Sequence, residues 1–489
     1  MTINGYTGKI LRVDLANRRT SIETVPEEWC TLYLGGKGLA YKYLLEDMPP
    51  GADPLSPESE IVFMAGAFAG TLVPTSSRMA VAARSPATGK VACATVGGGS
   101  AAELKFAGLD GIAVTGRAAS PVFLFITDQR VTLERANPLW GKGAHETERT
   151  IQEKKWTSRS RTLAIGPAGE NLVPIACLTA DGYRQAGRGG IGAVMGSKNL
   201  KAVAIRGEAG VPATEGVALL DYLLEMRNRD VLIERNAWIA AEGTPHLVQL
   251  AHDAGTLPVR NVVPAHSELL ESIGVEAAKA RLKAARACVG CPLACGRFTE
   301  AADGAAVEGP EYGTIAMLGA NCGLFSMDAI LRLNRLCDDL GLDTIATGAV
   351  LRFGMEMTEK GSKDFALPFG NEGKMAEAIR QIVCREEPWA ELTAEMREAA
   401  ERPRGASAAE NLSVSEEIRE AEAVWDSLAV CSLWRPSLQT LAEIHSMVTG
   451  CPTSAQELRE AGHRIRALGL QLEQREAAAA EASPTEVQT

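Results

Sequence analysis

Three cysteines at Cys288, Cys291 and Cys295 form a C-x2-C-x3-C triplet, the feature that most restricts what this chain can fold around. The spacing holds three thiolates within one or two turns of chain, which suits one face of an iron–sulfur cluster with a fourth ligand from elsewhere. Zinc sites instead favour C-x2-C pairs separated by longer gaps, and no histidine follows closely here. The triplet predicts a protein that moves single electrons, and local spacing does not choose the fourth ligand.

Composition narrows the class of protein. The chain has 489 residues, enough for two or three domains, with 46% hydrophobic and 23% charged residues. A formal net charge of −11 makes nucleic acid an unfavourable partner. Eleven cysteines, an odd number, favour a reduced compartment over a disulfide framework. We expect neither a membrane span nor a signal peptide, and therefore a cytoplasmic protein.

The pattern of apolar residues along the chain changes near residue 210. Short apolar runs separated by Gly-Gly and Ser-Pro predict strands at 61–67, 79–83, 112–115, 122–126 and 202–205. Apolar residues at helical spacing predict helices at 216–227, 276–286, 327–340, 349–360 and 374–384. Residues 402–411 look like a connector, and residues 477–489 are expected to be frayed. The prediction is an α+β protein with an N-terminal β-rich domain, 1–208, and two mainly α-helical domains, 209–410 and 411–489.

Two short loops share one pattern. Asp338–Thr344 contains Asp-x-x-Gly-Leu-Asp, and Asp426–Cys431 contains Asp-x-x-Ala-Val-Cys. The carboxylates of Asp338 and Asp343 suit the donors of a polar heterocycle. The alternative for the first loop is a solvated helix C-terminus followed by the N-cap of the next helix. Two copies predict two similar ligand halves, with a thiol beside the second.

Glycine-rich loops at 96–100 and 187–192 follow strand-like segments. Glycine lets backbone N–H groups approach a phosphate closely, and Arg78, Arg184 and Arg188 can supply charge and forked hydrogen bonds. Neither loop matches a Walker A or Rossmann fingerprint in context. Turns between strands are the alternative interpretation.

Several motifs occur in a specific order: Asn4-Gly5-Tyr6-Thr7-Gly8-Lys9, Ser85-Pro86-Ala87-Thr88-Gly89, 187–201, the triplet, Glu308-Gly309-Pro310-Glu311-Tyr312 and the first Asp loop. Together they resemble the aldehyde:ferredoxin oxidoreductase family of tungsten enzymes. The resemblance implies tungsten, or less often molybdenum, on two pterins between the domains. It also implies a [4Fe-4S] cluster that passes electrons to ferredoxin while an aldehyde becomes a carboxylate.

The resemblance assigns roles to individual residues. Those implied to hold the two pterins and their phosphates are Asp338, Gly341, Leu342, Asp343, Asp426, Val430, Arg78, Gly97, Gly98, Arg184 and Arg188. Cys431 becomes the fourth cluster ligand. Ala429-Val430 replaces the usual Gly-Leu of the second loop. Thr95 stands where an Asn is expected to help hold a bridging Mg2+.

The chain also departs from the family pattern. Gly313 replaces a Glu, no His occurs between Cys384 and Asp426, and the chain stops soon after Leu468-Gly469-Leu470. Candidate catalytic residues are therefore Glu311 and Tyr312, with Glu308 a further candidate by position. Cys322 is another, because a cysteine in this region is thought to bind tungsten in the related benzoyl-CoA reductase subunit. A buried structural thiol is the equal alternative for Cys322.

Three hypotheses remain open. The chain is an aldehyde-oxidising bis-pterin enzyme, a subunit of a benzoyl-CoA-reductase-like complex, or a catalytically degenerate paralogue that binds cofactor. The expected partners are ferredoxin or an iron–sulfur electron-transfer subunit, a small aldehyde or related substrate, and a second copy of the chain in a homo-oligomer. Three histidines that lie upstream of the cysteine triplet are expected on the surface or packed: His246, His252 and His266.

Overall fold

The β-rich part precedes the helical part, as the sequence predicted. The computed structural model describes residues 3–154, 157–228, 236–259, 267–395 and 415–482, and all structural statements refer to these. The α+β class is confirmed. The domain boundaries at 208 and 410 stay a prediction.

Two six-stranded sheets make up the β-rich part. Its strands are β1 Lys9–Asp14, β2 Arg19–Thr24, β3 Ile61–Ala65, β4 Met79–Arg84, β5 Val91–Val96, β6 Gly111–Thr115, β7 Val122–Thr127, β8 Val131–Arg135, β9 Arg161–Ala164, β10 Leu178–Ala180, β11 Arg184–Ala186 and β12 Leu200–Arg206. The first sheet has the order β2-β1-β6-β3-β4-β5 and the second β11-β10-β9-β12-β7-β8. Strands β3 and β4 are almost entirely buried, which explains their continuous apolar runs.

Short helices accompany these sheets. They are α1 Glu27–Tyr33, α2 Gly36–Asp47, α3 Ser100–Phe106, α4 Ala144–Gln152, α5 Pro167–Glu170 and α6 Ile191–Ser197. The inner faces of both sheets share one apolar core that includes Leu11, Phe63, Val81, Leu124 and Val203. The two sheets therefore form one packed unit rather than separate halves.

The rest of the described chain is mainly helical. Its helices are α7 Gly216–Asn228, α8 Ala237–Glu242, α9 Leu247–Asp253, α10 Ser267–Glu271, α11 Val275–Lys279, α12 Tyr312–Thr314, α13 Met327–Leu340, α14 Thr344–Glu359, α15 Glu372–Cys384, α16 Trp389–Glu395, α17 Glu416–Leu428, α18 Leu438–Thr449 and α19 Ala455–Ala482. A π-helical turn, Ile315–Gly319, and a 3-10 turn, Ala320–Cys322, continue α12. A second core fills the space between α13, α14 and α15.

The small sheet β13 Leu282–Arg286, β14 Gly296–Glu300 and β15 Ala306–Glu308 corrects one prediction. The helix predicted at 276–286 ends at Lys279, and its second half pairs antiparallel with β14. Ala, Lys and Arg favour helix locally, but the ladder with residues 296–299 satisfies their backbone groups instead. The hairpin loop between β13 and β14 carries the cysteine triplet.

A third core joins the two ends of the chain. It packs Tyr43 and Leu44 of α2 against Leu428 of α17 and Ile465 and Leu472 of α19. Helix α19 runs to Ala482, so the part of the predicted frayed tail from 477 to 482 is helical. The predicted connector, 402–411, lies outside the described residues. The C-terminal helices are thus fixed to the β-rich part.

Within the described residues, no single helix is long and apolar enough to cross a membrane. Two consecutive segments, Tyr312–Cys322 and Met327–Leu340, reach the length and hydropathy of a membrane span only when they are counted together. The chain bends by 115° between them.

Glu476 anchors α19 to the β-rich part. Its side chain, 3% exposed, lies 3.0 Å from Arg84 Nη1 and 2.9 Å from Arg475 Nη2, and it accepts a hydrogen bond from Gly51 N. We predict that Glu476→Ala lowers the free energy of unfolding by about 3 kcal/mol, because it leaves buried guanidinium groups without their counter-charge. Urea unfolding at neutral pH measures this. Glu473→Ala, on an exposed position of the same helix, is the control, and an equal loss in both variants would contradict the assignment.

Candidate metal and cofactor site

Four cysteines from two distant segments line one cavity of about 270 Å³. Cys288, Cys291 and Cys295 enter from the β13–β14 loop and Cys431 from the loop after α17. All four are free thiols. The other lining residues are Thr75, Arg78, Thr95, Gly97, Tyr183, Arg184, Gln185, Leu293, Glu308, Glu311, Thr314, Asn334, Asp338, Thr344, Ser432 and Leu433. The structure therefore brings together residues that the sequence analysis had assigned to separate motifs.

The triplet loop is held against the glycine-rich loop at 96–100. Val289 N donates to Gly98 O at 3.0 Å, and Cys291 N donates to Cys288 O at 3.1 Å. A Cβ at Gly97 would lie 2.7 Å from Cys288 Sγ. Glycine at 97 is thus needed for the thiol to approach the β-rich part so closely.

Two of these thiols favour the protonated form. Burial is the main cause that raises the pKa of Cys291 to about 11 and that of Cys295 to about 12, and Glu311 contributes to the shift of Cys295. Because thiolates are the ligand form, loading this site with metal must release protons.

Arg184 is the cation nearest the triplet side of the cavity. Its Nη2 lies 2.8 Å from Glu308 Oε1 and its Nη1 lies 3.5 Å from Glu311 Oε1. The Arg184–Glu308 contact has the distance of an ion pair without the angle of a hydrogen bond, so both atoms stay without a hydrogen-bond partner among the described residues. Burial raises the pKa of Glu308, and Arg184 opposes that shift. Both residues line the cavity.

Arg78 occupies the other side. It donates through Nη2 to Thr95 O at 2.8 Å and to Thr95 Oγ1 at 2.5 Å, and its Nη1 lies 3.7 Å from Cys431 Sγ. Arg78 therefore contacts the predicted fourth ligand directly.

Asp338 of the first Asp loop reaches the same cavity from α13. Its Oδ1 accepts from Gln185 Nε2 at 3.1 Å and its Oδ2 from Asn334 Nδ2 at 2.8 Å. Burial holds the pKa of the Asp338 carboxyl well above its ordinary value. Asp338 is therefore buried and hydrogen-bonded, unlike the solvated helix end that was the alternative.

The other half of the alternative interpretation, an N-cap for the next helix, is correct, because the loop ends α13 and begins α14. Gly341 ends α13 in the left-handed region at φ +75°, and Asp343 caps α14 by accepting from Ile345 N at 3.0 Å. The second carboxylate oxygen of Asp343 lies 3.0 Å from Arg188 Nη1. Arg188 and Asp343 thus contact each other, and neither lines the cysteine cavity.

The two Asp loops share one backbone conformation. Leu342 N donates to Cys337 O and Val430 N donates to Trp425 O, each at 2.9 Å across five residues. Ala429 adopts φ +60° at the position equivalent to Gly341. Its Cβ is tolerated because it faces Gly66, where an added Cβ would lie only 2.7 Å away. The replacement of glycine by alanine has kept the loop geometry.

Both loops dock on the β-rich part in the same manner. Asp343 N donates to Ile175 O and Cys431 N to Thr75 O, each at 3.1 Å. In each loop the docked residue then meets an arginine of the β-rich part, Arg188 in the first and Arg78 in the second. The sequence prediction of two related loops is thus matched by their geometry.

Thr75 combines two features common at functional sites. This β-branched residue adopts φ +59°, and its buried Oγ1 has no hydrogen-bond partner among the described residues. Such strain is usually retained where a bound group uses it. Thr75 lines the cavity beside Cys431, so its hydroxyl is available to a cofactor.

Gly98 and Gly99 of the glycine-rich loop pack against the side chain of Asp181. Gly99 N donates to Asp181 Oδ2 at 2.7 Å, and a Cβ at Gly98 would lie 2.5 Å from the same oxygen. The amide of Gly99 is therefore already occupied. Gly97 is the residue of this loop that lines the cavity.

Thr244 holds the candidate catalytic residue Glu311. Its hydroxyl contacts Glu311 Oε2 and accepts from Tyr312 N at 3.0 Å. The Glu311 side chain is 44% exposed and lines the cavity. Tyr312 is half-buried against the helical core, where burial raises its pKa. Of these two candidates, Glu311 has the geometry of a group that faces a reacting molecule.

Other predicted residues lie elsewhere. Cys322 is fully buried in the helical core, donates to Met317 O at 3.2 Å, and has a pKa raised by burial to about 12. This placement favours the structural-thiol alternative. Asp426 forms an ion pair with Lys37 at 3.3 Å, outside the cysteine cavity.

The histidines also lie away from the lining residues. His246 pairs with Glu242 at 2.5 Å and packs on Trp238. His252 lies in α9, partly exposed, while His266 is outside the described residues. No histidine is among the described residues that line the cavity.

No motif in the sequence pointed to Gln185, Asn334 or Thr244, which the structure places at or beside the cavity. Asn334 lies one helical turn before Asp338, a spacing that could have identified it. Gln185 follows Arg184 in sequence but contacts Asp338 only through tertiary structure. Thr244 is far from Glu311 in sequence and carried no local signal.

Comparison with known proteins now adds to this geometry. The family model described as "aldehyde ferredoxin oxidoreductase, N-terminal domain" matches residues 10–207, and the model for "domains 2 & 3" of the same enzyme matches residues 225–415. The chain belongs to the aldehyde ferredoxin oxidoreductase family.

Individual relatives agree with this assignment. The tungsten-containing aldehyde ferredoxin oxidoreductase of Pyrococcus furiosus is 40% identical over 78% of this chain and 65% of its own length. The corresponding enzyme of Thermococcus kodakarensis is also 40% identical, over 73% of this chain and 59% of its own length. The aliphatic sulfonate oxidoreductase WOR-like subunit of Pyrococcus furiosus is 30% identical over 78% of this chain. The matched region thus spans less than two thirds of these relatives.

A solved structure shows the same fold. The active site complex BamBC of benzoyl coenzyme A reductase, with 1,5-dienoyl-CoA, superposes with a TM-score of 0.83 over 99% of this chain and 91% of that chain. The two sequences are 23% identical.

The family implies a tungsten bis-pterin and an iron–sulfur cluster, and the residues present fit both. Four thiols in one cavity suit a cluster, in which each iron takes one cysteine. The buried hydroxyl of Thr75, which has no hydrogen-bond partner among the described residues, and the Arg184–Glu308 ion pair line the same cavity and offer polar contacts for a heterocycle.

Substitutions at Gly341 and Ala429, the equivalent positions of the two Asp loops, should have opposite effects on stability. Gly341→Ala should lower the free energy of unfolding by about 2 kcal/mol, because it imposes a left-handed conformation on a residue with a Cβ that would lie 2.7 Å from Gly166 N. Ala429→Gly removes that strain from the equivalent position, so stability should stay unchanged or rise by about 1 kcal/mol. Thermal or urea unfolding measures both, and a large loss in Ala429→Gly would show that the loops differ.

Thr244 gives a second prediction. Thr244→Val removes one partner from Glu311 and from the Tyr312 amide, so we expect a loss of about 1–2 kcal/mol. Thr244→Ser keeps the hydroxyl and should retain most of the stability. Urea unfolding of the two variants distinguishes them, and equal losses would mean that packing of the Thr244 methyl group matters instead.

Proposed function

We propose that the chain oxidises an aldehyde to a carboxylate at a tungsten (or molybdenum) bis-pterin and delivers the electrons singly through a [4Fe-4S] cluster to ferredoxin. The balanced reaction is RCHO + H2O → RCOO− + 3 H+ + 2 e−. One observation carries the proposal: Cys431 shares a cavity with the cysteine triplet, two arginines and the buried Asp338.

The cofactors, when bound, accept the electron pair and release it one electron at a time. Cys288, Cys291, Cys295 and Cys431 would hold the cluster. Asp338, with Gln185 and Asn334 fixing its two oxygens, would bind one pterin through hydrogen bonds. The shared cavity supports these roles, because all of these residues line it.

Glu311 is the group that we assign to proton transfer. It lines the cavity, has an exposed carboxylate, and is oriented by Thr244 and Arg184. A general base needs this combination of access and fixed orientation. We do not assign Mg2+ to Thr95, because both Thr95 oxygens accept hydrogen bonds from Arg78 and a second cation there would be repelled.

A second candidate is a subunit of a benzoyl-CoA-reductase-like complex. The fold match over nearly the full length of both chains favours it. Gly313, which stands where the resemblance implies a Glu, instead motivates the degenerate-paralogue alternative. A side chain at 313 would press on Ile345, since an added Cβ would lie 3.1 Å from its Cδ1. A co-purifying iron–sulfur subunit together with turnover of an aromatic acyl-CoA would favour this candidate.

Anaerobic purification followed by elemental analysis tests the proposal. We expect tungsten or molybdenum at one atom per chain, about four iron atoms for a [4Fe-4S] cluster, an EPR signal on reduction, and aldehyde-dependent viologen reduction. Metal without aldehyde turnover would indicate the degenerate paralogue. Absence of metal and of the reduced-cluster signal would overturn the proposal.

Cysteine variants test the cluster ligands specifically. Cys431→Ser should lower the bound iron and change the EPR signal of the reduced cluster, because serine replaces a thiolate ligand. Cys384→Ser, at an exposed cysteine outside the cavity, should leave both unchanged. Equal iron content and identical spectra in the two variants would exclude Cys431 as a ligand.

A further inference from the structure

Arg297 is a buried arginine next to the cysteine triplet. It lies in β14, shortly after Cys295, and is 4% exposed. It does not line the cavity that the four thiols share, and no role assigned so far to the cluster ligands or to proton transfer requires it. Because a buried guanidinium is costly to desolvate, its position has to be explained by what it contacts.

The guanidinium holds the backbone on both sides of Cys295. Its Nη1 donates to Ala294 O at 2.7 Å and to Gly296 O at 3.0 Å. Ala294 carries a Cβ yet adopts a left-handed φ of +42°. Such a conformation persists where the surrounding structure fixes it. Arg297 therefore helps to set the conformation of the chain at Cys295.

The same guanidinium joins the cysteine hairpin to α8. Its Nη2 donates to Ile239 O at 2.7 Å and to Ala240 O at 2.8 Å. These carbonyls lie in the last turn of this short helix, where backbone acceptors are left for partners outside it. Gly243 ends α8, and an added Cβ there would lie 2.9 Å from Arg297 Nε and 3.1 Å from Cys295 O. The end of α8 thus packs directly on Arg297 and on a predicted cluster ligand.

The positive charge of Arg297 has no carboxylate of its own. Its four hydrogen bonds go to uncharged carbonyl groups, and it forms no ion pair among the described residues. Glu311 acts on it through space, but Arg184 already pairs with Glu311 at 3.5 Å and with Glu308 at 2.8 Å. The two arginines therefore balance the two glutamates only as a set of four. Removing Arg297 would leave a net negative charge in this set.

We propose that Arg297 is a positioning residue that raises the reduction potential of the cluster, an inference that rests on the proposed function. Reduction adds one electron to the cluster, and a nearby positive charge favours the form that carries this added negative charge. Since Arg297 is buried, water and salt screen its charge little. Arg297 thus fixes the chain at Cys295 and makes the cluster a better acceptor of the electrons that aldehyde oxidation releases.

The test is a potentiometric titration of the anaerobic holoenzyme, followed by the EPR signal of the reduced cluster. Arg297→Gln retains N–H donors but removes the charge. It should shift the one-electron equilibrium about tenfold toward the oxidised cluster, which lowers the midpoint potential by about 59 mV. Arg297→Lys keeps the charge, so its equilibrium should stay within about twofold of the wild type even where hydrogen bonds and stability are lost.

Arg286 provides the matched control. It pairs with Gly296 across the same hairpin but is exposed. Arg286→Gln removes one positive charge that water and salt already screen, so the potential should change much less than in Arg297→Gln. Equal shifts in these two variants would mean that only the net charge of the chain matters, and would overturn the proposal.

The remaining outcomes also decide the question. A midpoint potential does not depend on how many molecules carry a cluster, so partly loaded variants still report it. A wild-type potential in Arg297→Gln, or an equally lowered potential in Arg297→Lys, would overturn the proposal. Loss of the cluster in both variants would overturn it too, because hydrogen bonding would then explain the residue, whereas loss in Arg297→Gln alone would support it.

The proposed function fails by a different measurement. Its failure would appear as no aldehyde-dependent viologen reduction in the wild-type protein. The cluster of that protein can still be titrated with a chemical reductant, so the potentials of the Arg297 variants test this inference without any aldehyde turnover.

Discussion

The site depends on how two helix ends are fixed to the β-rich part of the chain. Each Asp loop leaves its helix through a left-handed residue and donates one backbone hydrogen bond to a carbonyl of that part, Ile175 in one case and Thr75 in the other. The second of these bonds sets the position of Cys431 relative to the triplet. If the loop conformation changed, the thiol of Cys431 would leave the cavity. The arrangement of the four thiols therefore depends on the backbone geometry of this loop.

Buried charge is organised around the same cavity. Arg184 forms ion pairs with two carboxylates, whereas Arg78 contacts Thr95 and the thiol of Cys431. Such an arrangement is costly to desolvate unless every partner stays in place. Arg184 also opposes the rise in the pKa of Cys295 that burial causes.

Many features of the fold and of the candidate site could be predicted from local sequence. The bounds of α13 matched because Ser326 and Gly341 are clear start and stop signals, and the triplet identified the ligand loop. The helix predicted at 276–286 failed because a strand ladder outweighed local preference. Thr244 and Gln185 could not be found, since their roles arise only where distant segments meet. Cys431 was placed by resemblance, and the contact with Gly66 explains why that loop tolerates Ala429.

The position of Cys431 has a consequence for folding. A cluster bound to all four thiolates would act as a cross-link between the β13–β14 hairpin and the segment that follows α17, closing a long loop of chain. Cross-links of this kind restrict the unfolded chain more than the folded one, and metal loading then contributes to folding itself. The supply of iron and sulfide to the newly made chain would thereby set how much of it persists against proteolysis.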